Sequence, residues 1–320
     1  MKEFNLIKTF FTDQKVKRED VILGIGDDCA LVQPSERQHI AITTDTLVAG
    51  VHFPLDTSPR AIGHKSIAVN FSDLAAMGAE PSWISLAITL PEIDETWLSE
   101  FSEGIFSLCE QYNVQLIGGD TTQGPLSITI TAQGLIPHNQ HLSRSGAQPG
   151  DLLYVTGELG DAALALQHIL NKISLSDDIQ NQVQKSLDYP EPQILAGSVL
   201  RQYASSAIDI SDGLLADVTH ICQASNVGVN IELSKLPLSS EMRNAVTLEE
   251  SSLLALNGGD DYELLFTVNK SHIKEMESAL QLIGCKVSCI GQINSSAKIT
   301  TTLKGTVVEI DANGFQHFSG

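Results

Sequence analysis

The clearest alternation of apolar and polar positions lies between Leu126 and Ile136, where Ile128, Ile130 and Ala132 interleave with Thr129, Thr131 and Gln133. A period of two predicts a strand with one buried face. His39 to Thr43 is apolar and β-branched and predicts a strand that delivers Thr44 and Asp45 at its end. Trp83 to Leu90 alternates loosely, and Val114 to Ile117 is a short apolar run ending in Gly118-Gly119-Asp120; both predict strands. Ser58-Pro59 pairs a capping side chain with a proline suited to the first helical position, so a helix should run to about Met77 and stop at Gly78. Ile67 and Leu74 supply its buried stripe, and Asn70 and Asp73 share a face. Trp97, Phe101, Ile105 and Leu108 stand at helical spacing in a second helix, Asp94 to Tyr112. Residues 1–20 predict a short helix and a charged loop.

Proline, glycine and polar residues cluster from Ser143 to Asp151, which predicts a boundary between domains 1–142 and 150–320. Beyond it the pattern predicts a strand at Leu152–Thr156, a helix from Gly160 to about Asn171, and a loose stretch to Pro190. A helix at Gln193–Tyr203, a strand at Ala207–Ile210 and a helix from Leu214 follow. Then come a strand at Tyr262–Val268, a helix at His272–Ile283 and terminal strands up to about Ile310. Strands and helices mix without a strict βαβ rhythm, so the expected class is α+β in two domains.

Length agrees, because 320 residues exceed one ordinary core. Net charge is −20, which argues against nucleic acid or an anionic membrane as partner. An anionic substrate stays open if cations supply the positive charge. Five cysteines, an odd number with no Cys-x-x-Cys, fit a reduced cytoplasm better than a disulfide framework. The stretch from Met1 to Asp20 has no long apolar segment, so no signal peptide is expected, and no run of about 20 apolar residues predicts a membrane span.

Candidate chemistry centres on Gly24-Ile25-Gly26-Asp27-Asp28, where two adjacent carboxylates follow two glycines. Read alone, this is a polar turn. The same juxtaposition recurs in Thr43-Thr44-Asp45, Asn70-Phe71-Ser72-Asp73, Gly118-Gly119-Asp120-Thr121-Thr122, Asp209-Ile210-Ser211-Asp212-Gly213 and Gly258-Gly259-Asp260-Asp261-Tyr262-Glu263. Hard cations take carboxylate and hydroxyl oxygens and commonly share phosphate oxygens with a nucleotide. Gly-x-x-x-x-Gly-Lys-Ser/Thr, the full dinucleotide fingerprint, Gly-x-Ser-x-Gly and His-Glu-x-x-His are all absent. Phosphoryl transfer survives this exclusion, since it needs positioning and charge neutralisation rather than a protein nucleophile.

In order along nearly the whole chain, these motifs resemble those of the thiamine-monophosphate kinase family, within the aminoimidazole ribonucleotide synthetase-like superfamily. Thr46-Leu47, Gly50-Val51-His52-Phe53, Leu74-Ala75-Ala76-Met77-Gly78-Ala79, Arg144-Ser145-Gly146 and Leu264 extend the match. The resemblance implies ATP-dependent phosphorylation of thiamine monophosphate to thiamine diphosphate. It also implies a homodimer whose N-terminal domains pair into a shared β-barrel, with ATP between domains and subunits. By the same resemblance Asp28, Thr43, Thr44, Asp45, Asp73, Asp120, Asp209 and Asp212 form a site for several Mg²⁺ ions. Gly119, Asp120, Arg144, Ser211 and Tyr112 contact the nucleotide, and His52, Glu263 and Phe315 the thiamine side. No catalytic base or nucleophile is assigned.

The residues themselves leave simpler roles open. Asp27 can cap a turn, Asp261 can be structural, His52 can pack in a loop, Arg144 can be solvated and Phe315 can anchor the C-terminus. An aminoimidazole ribonucleotide synthetase and an acidic metal-binding protein without turnover are the rival functions. Selenophosphate synthesis would need a reactive cysteine ahead of Cys29, and carbamoyl dehydration a C-terminal cysteine; the chain has neither.

Overall fold

A computed structural model describes residues 3–310. The chain divides into two compact units, one ending at Leu74 and resuming over Ala79–Asn139, the other taking Ala75–Gly78 and everything from Gln140.

The first unit opens with α1 (Glu3–Ile7), which continues as a π-helical turn over Lys8–Thr12. A short antiparallel pair, β1 (Val21–Leu23) and β2 (Leu31–Val32), brackets the first aspartate motif. Then follow β3 (Gln38–Val48), α2 (Pro59–Ala76), β4 (Glu80–Leu90), α3 (Glu95–Gln111), β5 (Gln115–Gln123) and β6 (Ser127–Pro137). The sheet order is β3-β6-β4-β5, antiparallel except for β4 with β5. Its core is Trp83, Ile84, Ile67, Phe71, Phe101 and Ile105, all essentially inaccessible. Both expected helices form, α2 with the expected cap and α3 with a cap that its apolar spacing did not indicate. Ala61 N donates to Ser58 Oγ at the start of α2, and Asp94 Oδ1 accepts from Thr96 N and Trp97 N at the start of α3.

Two strands outrun their predicted ends. β3 continues to Val48, which puts Thr43, Thr44 and Asp45 mid-strand, because every position from Gln38 to Val48 has a partner on β6. β5 continues through Gly118-Gly119-Asp120 to Gln123. Gly119 has φ +154°, and a Cβ there would sit 1.8 Å from Leu86 O, so a glycine is what lets the strand run on beside β4.

In the second unit the order is β7 (Leu152–Thr156), α4 (Asp161–Ile169), α5 (Asp177–Asp188), α6 (Ile194–Leu200), β8 (Ala204–Asp209), α7 (Leu214–Ser225) and β9 (Gly228–Glu232). After these come α8 (Ser240–Ala245), α9 (Leu248–Asn257), β10 (Leu264–Val268), α10 (Ile273–Leu282), β11 (Val287–Asn294), β12 (Ile299–Leu303) and β13 (Thr306–Val308). The sheet runs β13-β12-β9-β11-β7-β10-β8, with β12 and β9 parallel. The loose stretch expected before Pro190 is instead the helix α5, held by the narrow stripe Ile179, Val183, Leu187 among polar residues; Val183 and Leu187 are buried. α6 ends at Leu200, shorter than expected. β9, α8 and α9 occupy a region the apolar pattern left unassigned, and α9 is fastened by a Thr247–Glu250 capping box. β10 starts at Leu264 rather than Tyr262, because Asp260 and Tyr262 take left-handed backbone (φ +67° and +51°) and break the extended run.

Candidate functional site

Each unit carries its own set of acidic side chains. In the first, Asp27 and Asp28 are exposed, and Asp27 Oδ1 accepts from Asp28 N at 2.9 Å. Asp27 therefore caps the turn while Asp28 stands in the open. At mid-β3 the alternation of the strand separates neighbours. Thr43 Oγ1 donates to Asp73 Oδ2 on α2 at 2.5 Å, whereas Thr44 Oγ1 pairs with Thr131 Oγ1 at 3.0 Å on the other face of the sheet. The structure thus brings Thr43, Asp45 and Asp73 together and turns the Thr44 hydroxyl to the other face of the sheet.

Asn70, fully buried, organises this corner. Its Oδ1 accepts from Asp45 N at 3.1 Å, and its Nδ2 donates to Ser66 O at 3.0 Å. Burial, with the nearby charge of Asp73, pushes the Asp45 carboxyl up to about 6. Two carboxylates and a hydroxyl crowded at a partly dry position are a donor set that a divalent cation would relieve, so these residues fit Mg²⁺. Asp120 is exposed on β5, in register with Ala87 of β4. Tyr112 caps the C-terminus of α3 and meets Phe71 edge-on, ring centroids 5.9 Å apart. His52 Nδ1 accepts from Val48 N at 2.9 Å, which folds the loop after β3 back on its strand.

In the second unit, Asp209 is buried at the end of β8, and the loop Ile210–Gly213 is laced to the Asp260–Glu263 segment. Ile210 N donates to Glu263 O, Tyr262 N to Ile210 O and Asp260 N to Ser211 O. Asp217, in the first turn of α7, accepts from Ser211 N and Asp212 N through Oδ2. Burial and the Asp212 charge push its carboxyl up to about 7, against the pull of Arg144. Arg144 itself is exposed.

Glu263 is held by Thr156, whose Oγ1 donates to Glu263 Oε2 and accepts from Leu264 N. At Gly157 (φ +55°) a Cβ would fall 2.0 Å from Glu263 Oε1, so the glycine makes room for the carboxylate. Burial, then the charges of Glu158 and Glu191, push Glu263 up to about 7 despite the hydrogen bonds from Thr156 and Gln193. Asp261 Oδ1 accepts from Gly160 N at 2.8 Å while its buried Oδ2 has no hydrogen-bond partner, and burial pushes its pKa well up.

Among the described residues, no group of three or more His, Cys, Asp and Glu side chains is arranged to hold a metal ion. The predicted ligands are divided between the units, with Asp28, Thr43, Thr44, Asp45, Asp73 and Asp120 in one and Asp209 and Asp212 in the other. Phe315 lies outside the described residues. Sequence reasoning missed the supports: Asn70, which it placed on the Asp73 face without a role, Thr156 and Asp217. Asp217 gives no signal in sequence, because an acidic residue in a first helical turn is ordinary.

Residues 26–136 match the AIR synthase related protein N-terminal domain and residues 148–304 the AIR synthase related protein C-terminal domain. The chain is 46% identical to the thiamine-monophosphate kinase of Escherichia coli strain K12 over 320 residues, covering 99% of this chain and 98% of that one. It is similar to the crystal structure of thiamine-monophosphate kinase from Stenotrophomonas maltophilia K279a, with 40% identity, TM-score 0.85, and 91% and 93% of the two chains covered. It is also similar to AaThiL complexed with AMPPCP and TMP, with 31% identity, TM-score 0.77, and 92% of each chain covered.

Proposed function

The chain belongs to the thiamine-monophosphate kinases of the AIR synthase related family, and from that premise we propose that it transfers the γ-phosphoryl group of ATP to thiamine monophosphate. The products are thiamine diphosphate and ADP. The observation that carries this reading is the similarity, along 92% of the chain, to a structure holding both AMPPCP and TMP.

The transfer we propose is direct. An oxygen of the acceptor phosphate forms a bond to the γ-phosphorus as the bond from that phosphorus to the β-phosphate oxygen breaks. The acceptor oxygen is already anionic, so no protein base or nucleophile is required. Asp28, Thr43, Thr44, Asp45, Asp73, Asp120, Asp209 and Asp212 would hold several Mg²⁺ ions, with Thr44 taking part through its main chain. Bound Mg²⁺ supplies the charge neutralisation that lets two polyanions approach. The chain's own work is to hold those donors in place: Thr43 orients Asp73, and Asn70 fixes the backbone at Asp45. Gly119, Asp120, Arg144, Ser211 and Tyr112 are assigned to the nucleotide.

His52, Glu263 and Phe315 are assigned to the acceptor. Glu158 and Glu191 lie close enough to Glu263 for their charges to raise it, a crowding that a cationic guest would relieve, which supports the placement of Glu263.

We also read the protein as a homodimer that pairs through the first unit. β3 is an edge strand, and its open face carries Ile42 at 67% and Ile40 at 42% exposure, while Gln133 Oε1 on the adjacent β6 is buried without a partner. A cytoplasmic location is in keeping with the five cysteines, all of them free thiols.

Incubation with ATP, Mg²⁺ and thiamine monophosphate, read by product chromatography, tests the function. Thiamine diphosphate and ADP in equal amounts are expected. ATP turnover only with a formylglycinamidine ribonucleotide acceptor would favour the synthetase reading, and no turnover with any acceptor a binding role.

A further inference from the structure

We propose that Asp217 is a positioning residue that presents Ser211 and Asp212, a role that rests on the kinase reading for the identity of the ligand. The geometry is specific. The carboxylate of Asp217 is 2% exposed, and its Oδ2 lies 3.1 Å from Ser211 N and 3.2 Å from Asp212 N, accepting from both. Successive backbone N–H groups ahead of a helix are the usual seat for a phosphate oxygen. Here that seat precedes α7, whose N-cap is Gly213 and provides no side chain to cap the helix. The chain fills it with its own carboxylate from one turn further along.

Two consequences follow. First, the loop is closed to an anion at its main chain, so what it offers a nucleotide is the Asp212 carboxylate and the Ser211 hydroxyl. The Asp212 carboxylate, which carries the charge, suits the cations that accompany phosphate rather than phosphate itself, while the hydroxyl serves either. Second, the loop is held from both sides. Ile210 and Ser211 are tied to the Asp260–Glu263 segment by main-chain bonds, which a substitution leaves in place. The Ser211 and Asp212 N–H groups are tied by the Asp217 side chain, which a substitution removes. Losing it leaves two donors unpaired and frees the backbone that carries Asp212.

The test uses the full-length chain and calorimetric titration of AMPPCP with and without Mg²⁺. Asp217→Ala should weaken binding at least about tenfold with Mg²⁺ present and change it little in chelator, because the misplaced groups act on cations. Asp217→Asn keeps an acceptor oxygen of the same reach and should retain the Mg²⁺-dependent affinity to within about threefold. Unchanged Mg²⁺-dependent affinity in Asp217→Ala, or equal loss with and without Mg²⁺, would overturn the proposal, the first as a purely structural role and the second as a general deformation. Equal loss in Asp217→Ala and Asp217→Asn would also overturn it, since it would make Asp217 a cation ligand in its own right. If Asp217→Ala does not fold by its melting curve, Asp217→Ser, too short to reach both N–H groups, is judged by the same criteria. Thiamine diphosphate synthesis by the wild type is run alongside: its absence with the affinity pattern intact would remove the functional reading and leave the positioning role standing.

Discussion

The hydroxyl of Thr43 donates to Asp73 Oδ2 at 2.5 Å, joining the middle of β3 to the C-terminal part of α2 across 30 residues of chain. Its neighbour Thr44 makes its side-chain bond on the opposite face, to Thr131. One residue along a strand therefore separates a hydroxyl that meets Asp73 from one that meets the next strand.

Thr43→Val removes the donor to a carboxylate at nearly constant volume and should lower kcat about tenfold or more. Thr44→Val keeps its main chain and should leave kcat within about threefold. Steady-state kinetics of the two variants, side by side, check the assignment of faces; equal losses would defeat it.

Burial and the charge of Asp73 raise the Asp45 carboxyl, a crowding that a bound cation would relieve. Excess chelator should abolish activity and Mg²⁺ restore it. Asp45→Asn should lower kcat by at least about 10²-fold. In metal-free buffer the same variant should melt no lower than the wild type, because the substitution removes a repulsion. Full activity in chelator would refute the metal role.

Gly157→Ala should raise the KM for thiamine monophosphate about tenfold and leave that for ATP nearly unchanged, because the new methyl meets the Glu263 carboxylate. Phe315→Ala should weaken the acceptor by about three- to thirtyfold, the range for a cation over an aromatic face. Titration of each ligand separately decides between selective and general weakening; equal weakening for ATP would remove both residues from the acceptor side.

Acid should stabilise the protein over the mildly acidic range. Burial raises Asp161 to about 6 and Glu263 to about 7, above their ordinary 3.8 and 4.5, so the folded chain holds protons that the unfolded chain releases. The stability they contribute is full below those ordinary values and is lost as pH rises through about 6 and about 7. Glu232 works in the opposite sense: Ser234 Oγ, Lys304 N, Thr302 Oγ1 and Gly305 N hold it down at about 2, so its contribution is lost only as pH falls below its ordinary 4.5. Melting temperature should therefore fall from about pH 5 to about pH 8, and Glu263→Gln should make that fall shallower by removing one titrating group. A slope identical to that of the wild type would show that Glu263 does not titrate in this range.

Light scattering at micromolar concentration should report a dimer. Ile42→Glu places a charge on the open face of β3 and should shift the mass toward the monomer while leaving the fold intact by circular dichroism. A wild-type monomer with full activity would contradict the assembly.

Much of this molecule is written locally. The cap at Ser58-Pro59, the N-cap at Asp94 and the period of two at Ile128, Ile130 and Ala132 are effects of neighbours in sequence, and the elements they specify are present. The order of the aspartate motifs likewise carries the resemblance to the kinase family, to which the chain belongs. Other features depend on partners far away in the chain. β3 runs on past Asp45 because β6 pairs with it, and β5 runs on past Gly119 because β4 lies against it. α5 leaves little trace in the sequence because its apolar stripe is only Ile179, Val183 and Leu187, and it is packing against the core that makes so thin a stripe sufficient. Which hydroxyl faces Asp73, what Asp217 holds, and why Gly157 must be small were settled only by the tertiary structure. In each case the deciding contact joins residues whose spacing in sequence carries no period, and a pairwise interaction at a distance leaves no trace in a local pattern.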